Sequence, residues 1–246
     1  MLLEGLDLFM DSLSKSKYIV ALTGAGISTN AGIPDFRGPN GIYKRKDIPG
    51  EKIFEVSYFQ QNPADFYKLF SDMVDSYANA VPTKGHLFLK KLEDIGRLKT
   101  VITQNIDGLH QKAGNTNVIE VHGSFSNFYC ISCGKVFPMS EKIVSVIRKG
   151  NVPVCDACKG ALKPDVVFFG EPVHGLEKAL TEVQRADMLI ALGTSLSVYP
   201  VATLPSYITD NTMLVIINAE PTQYDHRAKI VLHEDIDLIV ERTKLL

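Results

Sequence analysis

The chain has 246 residues, 45% of them hydrophobic, with a formal net charge of −2. That length supports one large core with a smaller unit attached, and the charge balance argues against nucleic acid as a direct ligand. No apolar run reaches the roughly 18 residues a membrane helix needs, and Glu4, Asp7 and Asp11 stand where an export signal would be basic and then apolar, so a cytoplasmic protein is expected.

In chain order, Leu6, Phe9, Met10 and Leu13 follow helical spacing, and residues 18–22 read as a buried strand. Residues 39–82 begin as Gly/Pro-rich loop and then predict a helix opened by Asn62-Pro63, with an apolar stripe of Phe66, Phe70, Met73, Val74 and Tyr77. Phe88, Leu92 and Ile95 mark another helix, with Gly96 as its stop. Strands are predicted over 100–103, 118–121, 166–169, 188–192 and 214–217, and Leu176, Leu180 and Val183 form a helical stripe between them. Most of these strands are continuous Val/Ile/Leu, as in parallel strands covered on both faces. Strands alternating with helices predict a doubly wound α/β sheet. Residues 39–82 and 126–164 break the alternation and are expected to form a small second lobe, the latter with a short helix near 140–149. Six basic residues of 126–164 (Lys135, Lys142, Arg148, Lys149, Lys159 and Lys163) face two acids, Glu141 and Asp156, and read as a solvated surface.

The most specific chemical signal is Cys130-x2-Cys133 and Cys155-x2-Cys158, separated by twenty-one residues. In an intracellular chain this spacing favours tetrahedral Zn²⁺ held by four thiolates over two disulfides or free thiols. Four protein ligands leave no open position, so the metal is structural. A second signal, Thr23-Gly24-Ala25-Gly26-Ile27-Ser28, follows the first strand, where a glycine turn lets backbone N–H groups approach a pyrophosphate. Thr29 stands where the third glycine of the full dinucleotide fingerprint would be, and an ordinary tight turn fits the sequence equally well. The third signal is Gln104-Asn105-Ile106-Asp107 with His122-Gly123, polar groups at strand ends where open α/β sheets bind ligands. A histidine there can act as a general base, although a packing role suits an isolated histidine better. His86, His110, His174, His226 and His233 have no such context and are read as structural.

With Gly32-Ile33-Pro34-Asp35-Phe36-Arg37, Phe168-Phe169-Gly170-Glu171, Gly193-Thr194-Ser195 and Asn218-Ala219-Glu220 falling in the same order, the chain resembles the sirtuin (Sir2) family from about residue 18 onward. The resemblance implies a discontinuous Rossmann-like domain (1–38, 83–125 and 165–246), and a small domain made of a helical module (39–82) and a zinc module (126–164). It implies NAD-dependent protein-lysine deacetylation, with NAD consumed as co-substrate and one structural Zn²⁺. In that chemistry the acyl oxygen attacks the nicotinamide ribose, nicotinamide leaves, and lysine and 2′-O-acetyl-ADP-ribose are released.

Carried over by position, His122 becomes the base, with Asn105 as its catalytic companion. Gly24, Ala25, Gly26, Thr29 and Arg37 are expected along the pyrophosphate and its loop. Phe36, Ile106 and Asp107 belong around nicotinamide, Gln104 and Asn105 at the ribose, and Asp35 is a further cofactor-binding residue. Gly193, Thr194, Ser195, Asn218 and Glu220 are expected at the adenosine end, with backbone of Asp235 or Ile236 at adenine. Acetylated protein lysines would enter a tunnel lined by Phe169, with the acyl-lysine amide donating to the Val167 carbonyl, and Gly170, Glu171, Ser197 and Val198 would pair with the peptide backbone as an added strand. Family members that prefer succinyl or malonyl groups carry a Tyr and an Arg three residues apart on the small-domain helix. Phe70 and Met73 match those positions, so acetyl-lysine is the expected substrate. A monomer is expected, with no membrane partner. The rival readings are a mono-ADP-ribosyltransferase using the same site, a non-catalytic NAD- or ADP-ribose-binding module, and a zinc-ribbon nucleic-acid binder. The Asn105, Asp107 and His122 set disfavours the second, and the net charge the third.

Overall fold

The computed structural model describes residues 2–36, 38, 41–46 and 49–245. Its larger sheet has six parallel strands: β1 (Ile19–Thr23), β2 (Leu98–Thr103), β3 (Val118–Glu120), β7 (Met188–Leu192), β8 (Met213–Ile217) and β9 (Ile230–Leu232), in the order β3-β2-β1-β7-β8-β9. This is the doubly wound order of a Rossmann-like domain. The chain crosses one way from β1 to β2 and the other way to β7, opening a crevice at the carboxyl ends of β1 and β7.

Both faces of β1 are buried, which is why its residues are all apolar up to Thr23. Ile19 and Ala21 face a core built with α1 (Leu2–Lys15), α5 (Lys84–Asp94) and α9 (Ile236–Thr243). Val20 and Leu22 face the opposite core, built with α8 (Leu176–Arg185) and the 3₁₀ turns at Val201–Tyr207. Helix α5 ends as the glycine signal predicts: Gly96 takes a φ of +73° and its N–H closes on Glu93. Ile95, read as part of the buried stripe, is instead exposed, because it caps the helix beyond the last packed turn.

A second sheet is antiparallel, in the order β5-β4-β6, formed by β4 (Gly123–Cys130), β5 (Val136–Pro138) and β6 (Leu162–Val166). The strand expected over 166–169 is therefore displaced: β6 ends at Val166, lies in the small sheet, and 167–169 runs on as a connecting segment. Around this sheet pack α2 (Val56–Gln61), α3 (Pro63–Ser71), α4 (Val74–Asn79) and α7 (Glu141–Arg148), while the short α6 (Leu109–Ala113) belongs beside α5. Residues of 39–82 and of 126–164 share one aromatic-rich core. Tyr67 donates to the Leu162 carbonyl (2.6 Å), and Arg148 to Asp75 (2.8 Å), tying the two segments together.

Two local expectations need correction. Pro63 does occupy the first helical position, but the Asn62 side chain accepts no capping hydrogen bond. The stripe from Phe66 to Tyr77 is carried by two helices, α3 and α4, with Met73 capping the second.

Candidate active site and metal centre

The glycine turn leaves β1 and meets the loop that leaves β7. A Cβ at Gly24 would lie 2.8 Å from the Gly193 carbonyl, and one at Gly193 would lie 2.3 Å from the Ile27 nitrogen. Gly193 also has a φ of +59°. The two loops can cross at this distance only as bare backbone, and the crossing is fastened by the Gly24 N–H donating to the Leu192 carbonyl and the Gly26 N–H to the Gly193 carbonyl. The turn is followed by 3₁₀ segments, Ala25–Ile27 and Thr29–Ala31, rather than by the α-helix the dinucleotide pattern leads one to expect. The Thr29 hydroxyl donates to the Gly26 carbonyl (3.0 Å) and stabilises that turn. Arg37 lies outside the described residues.

At the end of β2 the polar triplet is tightly organised. Asn105 donates through Nδ2 to the Gly24 carbonyl and to Ser28 Oγ, both at 3.1 Å. Because the Gly24 carbonyl can only accept, Nδ2 must face it, and Asn105 presents its carbonyl oxygen to the crevice. Ser28 in turn donates to Asp107 Oδ2 (2.7 Å), while Asp107 Oδ1 accepts from the Leu109 N–H (2.9 Å). Gln104 donates to Thr194 Oγ1 (2.9 Å), bridging the loops after β2 and β7.

The Gln104 carbonyl lies 3.0 Å from His122 Nδ1. A carbonyl accepts only, so Nδ1 carries the proton and Nε2 holds the free lone pair. Burial pulls the His122 pKa down; the Gln104 bond opposes this and the nearby His174 adds to it. The imidazole is thus held neutral with its basic nitrogen fixed in orientation. Gly123, next in sequence, is required there: a Cβ would fall 2.0 Å from the Asp165 carbonyl of β6.

Beside Ile106, in the aromatic core, is a small apolar pocket of about 20 Å³, whose walls include Phe36, Phe70, Met73, Tyr77, Ile106 and Phe125. Phe70 and Phe125 stack at 4.2 Å. An adjoining cavity of about 270 Å³ shares Phe70, Tyr77, Ile106 and Phe125 and reaches Asp107 and Lys112.

The four cysteines form a separate site. Their sulfurs all lie within 4.8 Å of one another, with 3.4 Å between Cys130 and Cys158 and 3.8 Å between Cys133 and Cys155. Tetrahedral Zn²⁺ with bonds of about 2.3 Å separates its thiolates by about 3.8 Å, whereas a disulfide needs about 2.05 Å. The two knuckles are built alike: Cys130 N–H donates to Lys135 O and Cys155 N–H to Gly160 O. The donor set fits one Zn²⁺ with four thiolates, well away from His122 in the fold.

The Sir2 family model matches residues 24–200. The chain belongs to the Sir2 family. Among curated Sir2-type relatives, the NAD-dependent protein deacetylase of Caldivirga maquilingensis is 42% identical over 237 residues, covering 94% of this chain and 91% of its own. That of Thermotoga maritima is 42% identical over 231 residues, covering 93% and 92%. Solved Sir2 structures superpose closely. One of Sir2 with a p53 peptide and NAD⁺ has a TM-score of 0.86 at 38% identity, and one of Sir2 bound to an acetylated peptide has 0.86 at 36%; each match covers 96% of both chains.

For this Sir2-family chain the structure gathers the expected residues into distinct groups. Gly24, Ala25, Gly26, Gln104, Asn105, Asp107, His122, Gly193 and Thr194 cluster at the ends of β1, β2, β3 and β7. Phe36 and Ile106 line the apolar cavity, and Asp35 accepts from the Gly38 N–H (3.0 Å) at the loop before it. Ser195 and Ser197 share a hydrogen bond (2.7 Å) after β7, with Val198 following them. Asn218 donates to the Glu220 carbonyl (2.6 Å) after β8. Asp235 caps α9 and accepts from Asn30, and the Ile236 side chain is buried in the α1/α5/α9 core. Val167 donates to the His122 carbonyl (2.9 Å), and Phe169 exchanges backbone bonds with Phe54 and Val56. The Glu171 carboxylate, in contrast, turns inward and accepts from the Phe168 N–H (2.7 Å).

Ser28 is the residue that sequence reasoning passed over. It stood inside the glycine motif without a role, yet its hydroxyl joins Asn105 to Asp107; only the folding of β1 against β2 brings the three together. His86 and His110 are structural, as expected. Both are buried, and His86 completes a capping box with Thr83 at the start of α5.

Proposed function

We propose that this chain is an NAD⁺-dependent protein-lysine deacetylase, in which 1–38, 83–125 and 165–246 bind NAD⁺ and the other segments form the small domain. The observation that carries the reading is the fixed imidazole of His122. Its Nδ1–H is committed to Gln104, its Nε2 is a free base, and it sits beside the Asn105–Ser28–Asp107 network. A module that only bound a dinucleotide would gain nothing from an oriented neutral base.

The crevice suits NAD⁺ by its chemistry. Bare glycine backbone at its rim suits a pyrophosphate, the Asn105 carbonyl oxygen suits a ribose hydroxyl, and the Asp107 carboxylate suits a carboxamide N–H. Bound NAD⁺ supplies an electrophilic ribose carbon with nicotinamide as leaving group, and an ADP-ribose to take the acetyl group. His122 Nε2 accepts the proton of a sugar hydroxyl. Asn105 orients that sugar, held by its two internal bonds so that little order is lost on binding. Asp107 retains a second lone pair on each oxygen for the carboxamide and steers the ring toward Ile106 and Phe36. Val167 and the exposed Phe169 receive the acyl-lysine, and Gly170, Glu171, Ser197 and Val198 pair with the peptide backbone as an added strand. Thr194, Ser195, Asn218, Glu220 and the backbone at Asp235 and Ile236 hold the adenosine end. One Zn²⁺ on the four cysteines stabilises the small lobe and takes no part in bond breaking.

The test is incubation with an acetylated peptide, with and without NAD⁺. Nicotinamide and free lysine forming in equal amounts, only with NAD⁺, is the expected result. ADP-ribose transferred to protein without loss of acetyl groups would instead identify a mono-ADP-ribosyltransferase.

A further inference from the structure

Lys163 departs from the solvated basic surface to which the sequence assigned it. Its residue is 1% exposed, whereas Lys135 and Arg148 of the same segment stay at the surface and pair with Asp156, and with Asp75 and Glu141. The buried ammonium has a full set of partners. It lies 2.8 Å from Glu171 Oε2, donates to the Val166 carbonyl at 2.7 Å, and sits 4.1 Å above the Phe168 ring. Glu171 is equally engaged, accepting from the Phe168 N–H and from the Tyr129 hydroxyl (3.2 Å).

The placement of this pair matters more than its strength. A buried ion pair recovers little more than its desolvation cost, so net stability is a weak reason to have one. Lys163 lies on β6, opposite Tyr129 and one register position from the Leu162–Cys130 pair. Its partners Val166, Phe168 and Glu171 bracket the segment that donates to the His122 carbonyl through Val167 and bonds Phe54 and Val56 through Phe169. One cation therefore joins the cysteine-bearing sheet to the turn proposed to hold the acyl-lysine.

We propose that Lys163, acting through Glu171, is a positioning residue that sets the 166–171 turn for acyl-lysine binding and makes substrate affinity depend on the metal-bearing sheet. The inference rests on the deacetylase reading for the identity of the ligand. Lys163→Met removes the charge at similar size and leaves every crevice residue in place. With a fluorescent acetyl-lysine peptide, its affinity should fall by at least about 10-fold, because small misplacements of a docking segment are costly. NAD⁺ affinity and zinc content should stay within about twofold of wild type, since neither the crevice nor a ligand is altered. Lys163→Arg should recover most of the peptide affinity by restoring the cation. Should Lys163→Met fail to fold, Lys163→Met/Glu171→Gln carries the same expectation, because it buries no unpaired carboxylate. Equal peptide affinity in wild type and variants overturns the inference alone, as does a parallel loss of NAD⁺ affinity or zinc. A wild-type chain that takes up no acetylated peptide overturns the deacetylase reading and this inference with it.

Discussion

At His122 a backbone carbonyl decides the chemistry. The Gln104 oxygen holds the Nδ1 proton, so Nε2 keeps its lone pair in the neutral form and is the nitrogen proposed to act as base. His122→Ala should reduce deacetylation by on the order of 10²–10⁴ while NAD⁺ still binds, because the Asn105, Asp107 and Thr194 contacts are independent of the ring. Wild-type turnover by the purified variant would refute the role. The pH profile carries a matching signature. Burial favours the neutral imidazole, so the free base persists below the ordinary histidine value of 6.5. The acid limb of kcat/KM is therefore expected below that pH, and a limb above it would place the titration on another group.

At the scale of elements, the two cysteine knuckles and the α3/α4 pair make separate predictions. Each knuckle folds back through only two backbone bonds, and Cys133 and Cys158 at their tips are exposed rather than held in the aromatic core. Metal binding must then supply much of the local folding energy. Replacing Cys130 or Cys155 should loosen the small lobe and abolish activity, and elemental analysis of the wild type should find about one zinc per chain. Full activity in a verified zinc-free sample would contradict this. On α3 and at the cap of α4, Phe70 and Met73 present apolar surface to the cavity, none of whose described lining residues is basic. Of the cations near it, Lys68 is exposed, Arg45 is engaged by Asp72 at 2.8 Å, and Lys112 lines only the adjoining cavity, where it donates to the Ala80 carbonyl at 3.2 Å. A succinyl carboxylate entering there would lose hydration without gaining a cation, at a cost of several kcal/mol. Acetyl-peptide should therefore exceed succinyl-peptide in kcat/KM by about 100-fold or more, measured on one peptide carrying each group. Equal rates would require a cation that reaches the pocket during turnover.

For the whole molecule, acid stability should be set largely by two histidines outside the reaction. Burial pushes His86 down to about 4, and burial with the neighbouring His86 pushes His110 down to about 3. Both stay neutral in the folded protein over a range where the unfolded chain is protonated. Their contribution is complete above about pH 6.5 and is lost as pH falls through the folded values, at up to about 1.4 kcal/mol per pH unit for each. Urea midpoints measured from pH 7 to 4 should fall accordingly, and His86→Gln should flatten the slope. An unchanged slope in that variant would show that other groups dominate.

Much of this molecule was determined by local chemistry and could be read from the sequence. Buried strands covered on both faces must be continuously apolar, so β1, β2, β7 and β8 were legible to within two residues at each end. Paired cysteines at knuckle spacing bring their own sulfurs together, so the metal centre was legible as well. Strand β4 was not, because Gly123–Cys130 mixes Ser, Asn and aromatic residues and takes its order from pairing with β5 and β6. Nor could the sequence show Ser28 bridging Asn105 to Asp107 across 77 and 79 residues of chain, or Lys163 buried among surface lysines. Those assignments depend on which backbone carbonyls and carboxylates the fold carries to a given point. A side chain's own character does not specify its distant partners, so only the tertiary structure could decide them.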